Sequence, residues 1–245
     1  MRTVVGIDIG GSGVKGAAVD VAGGKLATER IRLETPSPAT PEAVAAAAAE
    51  VLERIDVPGP IGLTLPSVVR DGVVETAANI DHTWIGVNAV ELFSRVTGRA
   101  VAVVNDADAA GVAELRFGAG RDEAGVVLLL TLGTGIGSAL FVDGALVPNT
   151  ELGHLHLHDG DAEHWAADSV RERHGLSWPD YAGRVQDYLE LVESLLWPNL
   201  FIIGGGVSKH AEKFLPDISI GTRVVPAQLR NGAGIVGAAL FAPQA

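Results

Sequence analysis

The stretch TVVGIDIGGSGVKGAAVD, residues 3–20, predicts two β-strands joined by a glycine turn, because β-branched runs flank a glycine pair. The stretch VVLLLTLGTGIGSALFVD, residues 126–143, repeats this pattern at an offset of 123 residues, which aligns Asp8 with Thr131. An internal duplication is the simplest account, with chance similarity between two buried hairpins as the alternative. We therefore predict two related lobes.

Strand and helix signals alternate along the rest of the chain. The segment TPEAVAAAAAEVLERI has Thr40 as an N-cap and Pro41 at the first helical position, which predicts a helix. Further helices are predicted near residues 87–97, 162–174 and 179–196, and from about Val207. The pattern indicates an α/β fold with a small N-terminal lobe, residues 1–108, completed by a C-terminal helix, residues 233–245, and a large lobe, residues 109–232. No flexible linker separates the lobes, so we expect them to share a cleft.

Composition narrows the classes of function. The 245 residues are 47% hydrophobic, enough for a packed core. With 18 basic against 30 acidic side chains, the formal net charge is −12, which argues against nucleic acid or an anionic membrane as a partner. The absence of cysteine and the short apolar start before Asp8 do not support disulfides, secretion or a membrane span. We expect a soluble, cytoplasmic protein.

Three glycine-rich turns follow apolar strands, in DIGGSGVK, TLGTGIG and IIGGGVS. Glycine permits a positive φ and lets backbone N–H groups approach phosphate oxygens, so the turns suggest a phosphorylated ligand. Asp8 is suited to hold a hydrated Mg²⁺, and Lys15 supplies positive charge. Turns that need glycine only for packing are the alternative. A P-loop is disfavoured because no GxxxxGK[ST] sequence is present.

The segment VVNDADAA places Asn105 and Asp106 where a strand ends and a helix begins. Ligands of open α/β sheets bind at this edge. A carboxylate there can accept the proton of a substrate hydroxyl during phosphoryl transfer, so Asp106 is the candidate general base. The alternative is that Asp106 only caps the helix.

Histidines and acidic residues gather in NTELGHLHLHDGDAEHWA, residues 149–166, which suits a metal site, a sugar site or a solvated loop. The alternation in HLHLH predicts a strand with His154, His156 and His158 on one side. The residues alone leave these three alternatives open.

Seven segments, taken in their order along the chain, together resemble the ROK family of sugar kinases and sugar-responsive repressors. They are DIGGSGVKGAAVD, TAANIDHTWIG, VVNDADAAGVAE, LTLGTGIGSALF, NTELGHL, IIGGGVS and NGAGIVGAA. The similarity is greatest to the polyphosphate glucokinases, and it runs from Gly6 to about Ala239. Many family members hold zinc through a Cys-rich segment, which this chain lacks. The resemblance therefore implies no structural zinc, and we assign His156, His158 and His164 to a polar strand and loop. Ser67 stands where glycine is usual.

The resemblance implies an actin-like, two-lobed sugar kinase fold of the ribonuclease H type with a central interlobe cleft. Sugar-binding positions carried over from the family are Asn79, Asn105, Asp106, Glu151, His154 and Glu163, with Asp106 as the catalytic base that takes the proton of the sugar O6 hydroxyl. Phosphate-side positions carried over are Asp8, Gly10, Gly11, Ser12, Lys15, Thr131, Gly133, Thr134, Gly135, Gly204, Gly205 and Gly206.

The implied activity is a glucokinase reaction that forms glucose 6-phosphate from glucose and inorganic polyphosphate, with Mg²⁺ as cofactor and ATP as another donor. The alternatives are an ATP-dependent kinase for another hexose, such as mannose, fructose or an amino sugar, and a non-catalytic sugar sensor. Lys209 and Lys213 are four residues apart, so on a helix they would share a face and line a polyphosphate path. A homodimer is also implied by the family.

Overall fold

The computed structural model describes residues 2–78 and 80–244, and the chain divides into two compact units. The first unit comprises Met1–Ala113 and Gly232–Ala245, and the second comprises Glu114–Asn231. Among the described residues, no helix combines the length and the apolar character needed to cross a membrane.

The first unit is built on a mixed β-sheet. Its strands are β1 (Thr3–Gly10), β2 (Gly13–Asp20), β3 (Lys25–Leu26), β4 (Ile31–Leu33), β5 (Ile61–Leu65) and β8 (Val101–Asn105), with a separate hairpin of β6 (Val69–Arg70) and β7 (Val73–Val74). The strand order in the sheet is β3-β2-β1-β5-β8, and β4 also pairs with β2. Its helices are α1 (Pro41–Ile55), α2 (Ala89–Thr97) and the start of α3 (Asp106–Phe117). Strands β1 and β2 are antiparallel, whereas β1, β5 and β8 run parallel.

The second unit repeats this arrangement. Its strands are β9 (Val126–Leu132), β10 (Ile136–Val142), β11 (Ala145–Val147), β14 (Leu200–Gly204) and β15 (Arg223–Pro226), with a separate hairpin of β12 (His156–Leu157) and β13 (Gly160–Asp161). The strand order in the sheet is β11-β10-β9-β14-β15. Its helices are α4 (Glu163–Ala166), α5 (Asp168–His174) and α6 (Trp178–Leu196). The antiparallel β9–β10 pair and the parallel β9, β14 and β15 match the first unit, at the predicted offset of 123 residues between β1 and β9. The repeated topology supports the predicted duplication.

The chain returns to the first unit with α7 (Ala233–Phe241), whose small residues let it approach the sheet closely. A β-carbon on Gly62 would lie 1.7 Å from the carbonyl oxygen of Ala238, and one on Gly6 would lie 2.0 Å from that of Ile235. Glycine is therefore required at both positions, because van der Waals contact between such atoms needs more than 3 Å.

Two predicted helices differ from the structure. The predicted helix over residues 162–174 is divided into α4 and α5, because Ala167 is extended (φ −66°, ψ 152°). The predicted α-helix from Val207 is a 3₁₀ segment over Gly206–Lys213, with non-helical dihedral angles at His210. Packing of this short segment into the core overrides its helix propensity.

Candidate active site

The carboxyl end of the first sheet gathers polar side chains. Asp8 in β1 accepts a hydrogen bond from the Thr64 hydroxyl at 3.0 Å, and the Lys15 ammonium lies 3.5 Å from its other oxygen. The buried Thr64 hydroxyl in turn accepts from the N–H of Ile9 at 3.2 Å. Sequence reasoning missed Thr64, although a single polar residue within the apolar run IGLTL was the available signal.

The first glycine turn connects β1 directly to β2. Gly10 pairs with Gly13, which leaves only Gly11 and Ser12 at the exposed tip. The Ser12 carbonyl accepts a hydrogen bond from the Arg32 guanidinium at 2.8 Å. Among the described glycines of the three turns, only Gly205 uses the positive φ that glycine permits (φ 78°).

Asn105 is the last residue of β8, and Asp106 is the first residue of α3. The Asn105 amide oxygen accepts from the N–H groups of Ala107 at 2.8 Å and Asp108 at 3.0 Å, and its NH₂ group donates to the Ser67 carbonyl at 3.1 Å. Asn105 is therefore the N-cap, and only one of its amide hydrogens is left for a ligand. Asp106 is half-buried, and its carboxylate accepts from the Ala107 N–H at 2.8 Å.

Ser67 lies in the loop before the predicted sugar-binding positions, and its carbonyl accepts a hydrogen bond from Asn105 at 3.1 Å. Its hydroxyl is buried and has no hydrogen-bond partner within residues 2–78 and 80–244. The predicted sugar ligand Asn79 lies outside the described residues.

The second unit brings together three of the predicted sugar-binding residues. His154 Nε2 lies 3.8 Å from a Glu151 oxygen, and Glu163 accepts a hydrogen bond from the Ile136 N–H at 3.3 Å. The structure adds Asp161, whose carboxylate oxygen lies 2.9 Å from His154 Nδ1. Sequence reasoning missed Asp161, because only the folding back of the β12–β13 hairpin places it beside the imidazole.

The environment of this cluster changes two ionisation equilibria. Burial raises the pKa of Glu151, since a carboxylate loses water there. The hydrogen bond to Asp161 raises the pKa of His154, and the negative charges of Glu163 and Glu151 add to the effect. The cluster thus combines acceptors and a protonatable imidazole, which suits hydrogen bonding to sugar hydroxyls.

The predicted strand with three aligned histidines was wrong. His154 ends a 3₁₀ turn (Leu152–His154), only His156 lies in β12, and His158 adopts φ 55° in the following turn. The hairpin is so short that the chain reverses before an alternating face can form. The three imidazoles therefore have different surroundings.

His158 lies apart from the cluster of Glu151, His154, Asp161 and Glu163. It contacts Asp187, a residue of α6. Its Nε2 lies 3.4 Å from an oxygen of Asp187, which also accepts from the indole N–H of Trp165 at 3.1 Å. Arg184 lies over the Trp165 ring at 4.2 Å. These contacts fasten the loop to the helix.

A metal ion is geometrically conceivable at one place in the described part of the chain. Ligand-type atoms of His154, Asp161 and Glu163 lie within 4.8 Å of one another. A tetrahedral zinc ion with bonds near 2.1 Å would hold its nitrogen and oxygen ligands about 3.4 Å apart. The 2.9 Å separation between His154 and Asp161 instead fits a direct hydrogen bond.

The second and third glycine turns lie side by side at the ends of the parallel strands β9 and β14. Thr131 is in register with Gly204, and a β-carbon on Gly205 would lie 2.4 Å from the Leu132 carbonyl oxygen. Ser169 at the start of α5 holds the second turn, since its N–H donates to Gly133 at 3.0 Å and its hydroxyl to Thr134 at 2.7 Å. Beyond Gly205, the exposed Gly206 begins the 3₁₀ segment.

The prediction that Lys209 and Lys213 share a helix face was wrong, because residues four apart diverge in a 3₁₀ segment of three residues per turn. Lys213 instead lies 5.4 Å from the centre of the Trp178 ring. Arg171 lies over the same ring at 4.4 Å, and the His210 ring is 5.3 Å away. Three basic side chains therefore meet around Trp178.

Comparisons with known proteins agree on one family. The family model described as "ROK family" matches residues 4–169. The polyphosphate glucokinase of Mycobacterium tuberculosis is 52% identical over 236 residues, which is 96% of this chain and 89% of that protein. The glucokinase of Streptomyces coelicolor is 28% identical, with 98% of this chain and 97% of that protein covered.

Solved structures give the same result. The inorganic polyphosphate/ATP-glucomannokinase of Arthrobacter sp. strain KM superposes with a TM-score of 0.95 at 51% identity, covering 98% of both chains. A ROK family glucokinase from Streptomyces griseus, solved in complex with glucose and AMPPNP, has a TM-score of 0.84 at 26% identity, covering 98% of this chain and 99% of that one. The similarity extends over both units.

Proposed function

Because the chain belongs to the ROK family of actin-like sugar kinases, we propose that it is a glucokinase that transfers the terminal phosphoryl group of inorganic polyphosphate to O6 of glucose. The observation that carries this proposal is the similarity to polyphosphate glucokinases, which covers almost the whole chain. The position of Asp106 at the start of α3 adds chemical support, since a carboxylate at this edge is suited to take a proton from a hydroxyl.

In the proposed reaction, Asp106 accepts the proton of the glucose O6 hydroxyl while O6 attacks the terminal phosphorus. The bond from O6 to phosphorus forms, and the bond to the bridging oxygen breaks. The electron pair of that bond stays on the shortened polyphosphate. Positioning and charge stabilisation supply most of the acceleration in such transfers.

We assign the remaining hydroxyls of glucose to Asn79, Asn105, Glu151, His154 and Glu163. A site that binds each hydroxyl discriminates against sugars that lack one of the hydroxyls. A buried polar group of the protein is then left without a partner, which costs about 1–3 kcal/mol of binding free energy. Asn105 has one amide hydrogen left for this role. Its larger contribution is to hold the N-terminus of α3.

We assign the phosphate groups of the donor to the glycine turns at residues 10–12, 133–135 and 204–206, through backbone N–H groups other than that of Gly133, which already donates to the Gly135 carbonyl at 3.0 Å. Lys15 adds positive charge, and Thr131 borders the second turn. Arg171, His210 and Lys213 around Trp178 are the candidate track for the rest of the polyanion, although Arg171 is already paired with Asp168 at 2.8 Å. Lys209 is added to this track only from its place in the sequence next to His210. In a protein of net charge −12, such a local group is needed to offset repulsion.

Asp8 is the residue that would hold Mg²⁺, and its surroundings fit an ion held through water. One carboxylate oxygen accepts from Thr64, the other lies 3.5 Å from Lys15, and the side chain keeps 18% of its exposure. The bound ion would neutralise charge on the transferring phosphoryl group. The negative charge of Asp8 and the positive charge of Lys15 would then stay side by side where β1 and β2 meet the first glycine turn.

Two extensions follow from the similarity to the Arthrobacter protein, which is a polyphosphate/ATP-glucomannokinase. We propose ATP as a second donor and mannose as a second acceptor. Coupled assays with glucose, mannose, fructose and N-acetylmannosamine, each with polyphosphate and with ATP, test this. Polyphosphate-dependent turnover of glucose supports the proposal, whereas turnover confined to ATP with another hexose contradicts it. The homodimer and the cytoplasmic location stay predictions.

A further inference from the structure

The contact between Asp161 and His154 is imposed by the backbone around it. Antiparallel pairing in the β12–β13 hairpin sets His156 opposite Asp161, and the Ala162 N–H donates to the Leu155 carbonyl at 2.8 Å. These bonds return the chain to the end of the 3₁₀ turn that carries His154. The backbone therefore brings the Asp161 carboxylate next to the His154 imidazole.

Packing alone does not fix the imidazole, because 45% of the His154 side chain is exposed. A hydrogen bond to one ring nitrogen sets both the orientation of the ring and the role of the other nitrogen. With the Nδ1 proton donated to Asp161, Nε2 keeps a lone pair when the ring is neutral and becomes a donor when it is protonated. Nε2 points to the side of Glu151, 3.8 Å away.

We propose that Asp161 is a positioning residue that holds His154 with Nε2 directed at a hydroxyl of the sugar acceptor. This inference rests on the proposed function for the identity of the acceptor, but not for the contact itself. Among the described residues, the ionisable groups that face His154 are Glu151, Asp161 and Glu163, and of these only Asp161 is within hydrogen-bond distance of a ring nitrogen. The raised pKa of His154, caused chiefly by Asp161, agrees with this arrangement.

The chemistry explains why a carboxylate is needed at position 161. An asparagine of the same size offers a neutral oxygen or an NH₂ group, so it neither favours the protonated ring nor selects the Nδ1–H tautomer as strongly. At metal sites, loss of the group that supports a ligating histidine typically costs about 10–100-fold in metal affinity or activity, and we take the lower end as the guide for a histidine that binds a hydroxyl. We expect the glucose KM to rise about 10-fold in Asp161→Asn, with a smaller change in kcat.

The test is ¹⁵N NMR of the His154 imidazole in the full chain without substrate, for the wild type, Asp161→Asn and Asp161→Glu. Asp159→Asn is the matched control, because Asp159 is exposed in the same hairpin. His154→Gln assigns the signal. We expect the His154 titration midpoint to fall and the Nδ1–H tautomer to lose population in Asp161→Asn, with partial recovery in Asp161→Glu and no change in Asp159→Asn.

A His154 signal that is unchanged in Asp161→Asn overturns the inference, whatever the activity. So does a zinc ion bound stoichiometrically to the wild type and lost from Asp161→Asn, since the ion would then orient the ring. If the NMR changes occur and the glucose KM is unaffected, the positioning role is also wrong. A wild type that phosphorylates no sugar overturns the proposed function separately, and the NMR result still decides on the contact.

Discussion

The buried carboxylate of Glu114 accepts a hydrogen bond from the backbone N–H of Leu229 at 2.7 Å. Its other oxygen accepts from the N–H groups of Gln228 at 3.1 Å and Ala119 at 2.8 Å. The second unit begins at Glu114 and ends at Asn231, so one side chain ties its first residue to the segment just before its last. Three backbone donors depend on this carboxylate.

Replacing Glu114 with alanine is expected to destabilise the protein by about 2 kcal/mol, because three partly buried N–H groups lose their acceptor and a fully buried N–H left unpaired costs about 1–3 kcal/mol. Urea denaturation measures the difference. Glu123→Ala is the control, since Glu123 makes a surface ion pair with Arg223 whose loss costs about 1 kcal/mol or less. Equal stability of the two variants would show that the Glu114 bonds contribute little.

Gly62→Ala is expected to cost more than about 3 kcal/mol or to prevent folding, because the new methyl group would overlap the α7 backbone at Ala238. Gly183→Ala provides the comparison, since a β-carbon there meets no atom within 4 Å and alanine favours the helix α6. Thermal unfolding of both variants distinguishes the cases. A Gly62→Ala protein as stable as the wild type would refute the close packing of α7.

Replacement of both Lys209 and Lys213 with alanine is expected to raise the KM for polyphosphate about threefold or more at low salt, with less effect at high salt, because the lost attraction is screened. The KM for glucose should stay the same. Initial rates at two salt concentrations measure both effects. An unchanged KM for polyphosphate at low salt would remove these lysines from the donor path.

The Asp161–His154 pair is expected to stabilise the protein more at about pH 5.5 than at about pH 8.5. A raised pKa of a folded-state imidazole contributes stability below the unfolded pKa of about 6.5, and this contribution is lost as the pH rises through the folded pKa. Both side chains are over 40% exposed, so the difference is small. Urea denaturation of the wild type and Asp161→Asn at both pH values checks it, and a gap that widens at high pH would contradict the assignment.

The fold was largely predictable because its signals are local. Glycine pairs between β-branched runs marked the β1–β2 and β9–β10 hairpins, and Thr40 with Pro41 marked the start of α1, where the Thr40 hydroxyl accepts from the Ala43 N–H. Asn88, rather than Val87, precedes α2 because its side chain caps the helix.

The residues of the candidate site could be predicted from the sequence only where they belong to a recognisable motif. Thr64 and Asp161 were missed because their roles depend on neighbours 56 and seven residues away along the chain. The histidine strand and the helix after the third glycine turn were wrong because short segments follow tertiary packing rather than their own periodicity. A sequence pattern does not show where such a segment turns.

The most direct test of the central claim is the polyphosphate-dependent kcat for glucose in Asp106→Asn, with glucose binding measured in parallel by calorimetry. Asparagine keeps an oxygen for the Ala107 N–H but is a far weaker base. We predict that kcat falls by about 100- to 10,000-fold while the glucose Kd changes less than about threefold. A kcat near that of the wild type would show that Asp106 is not the base.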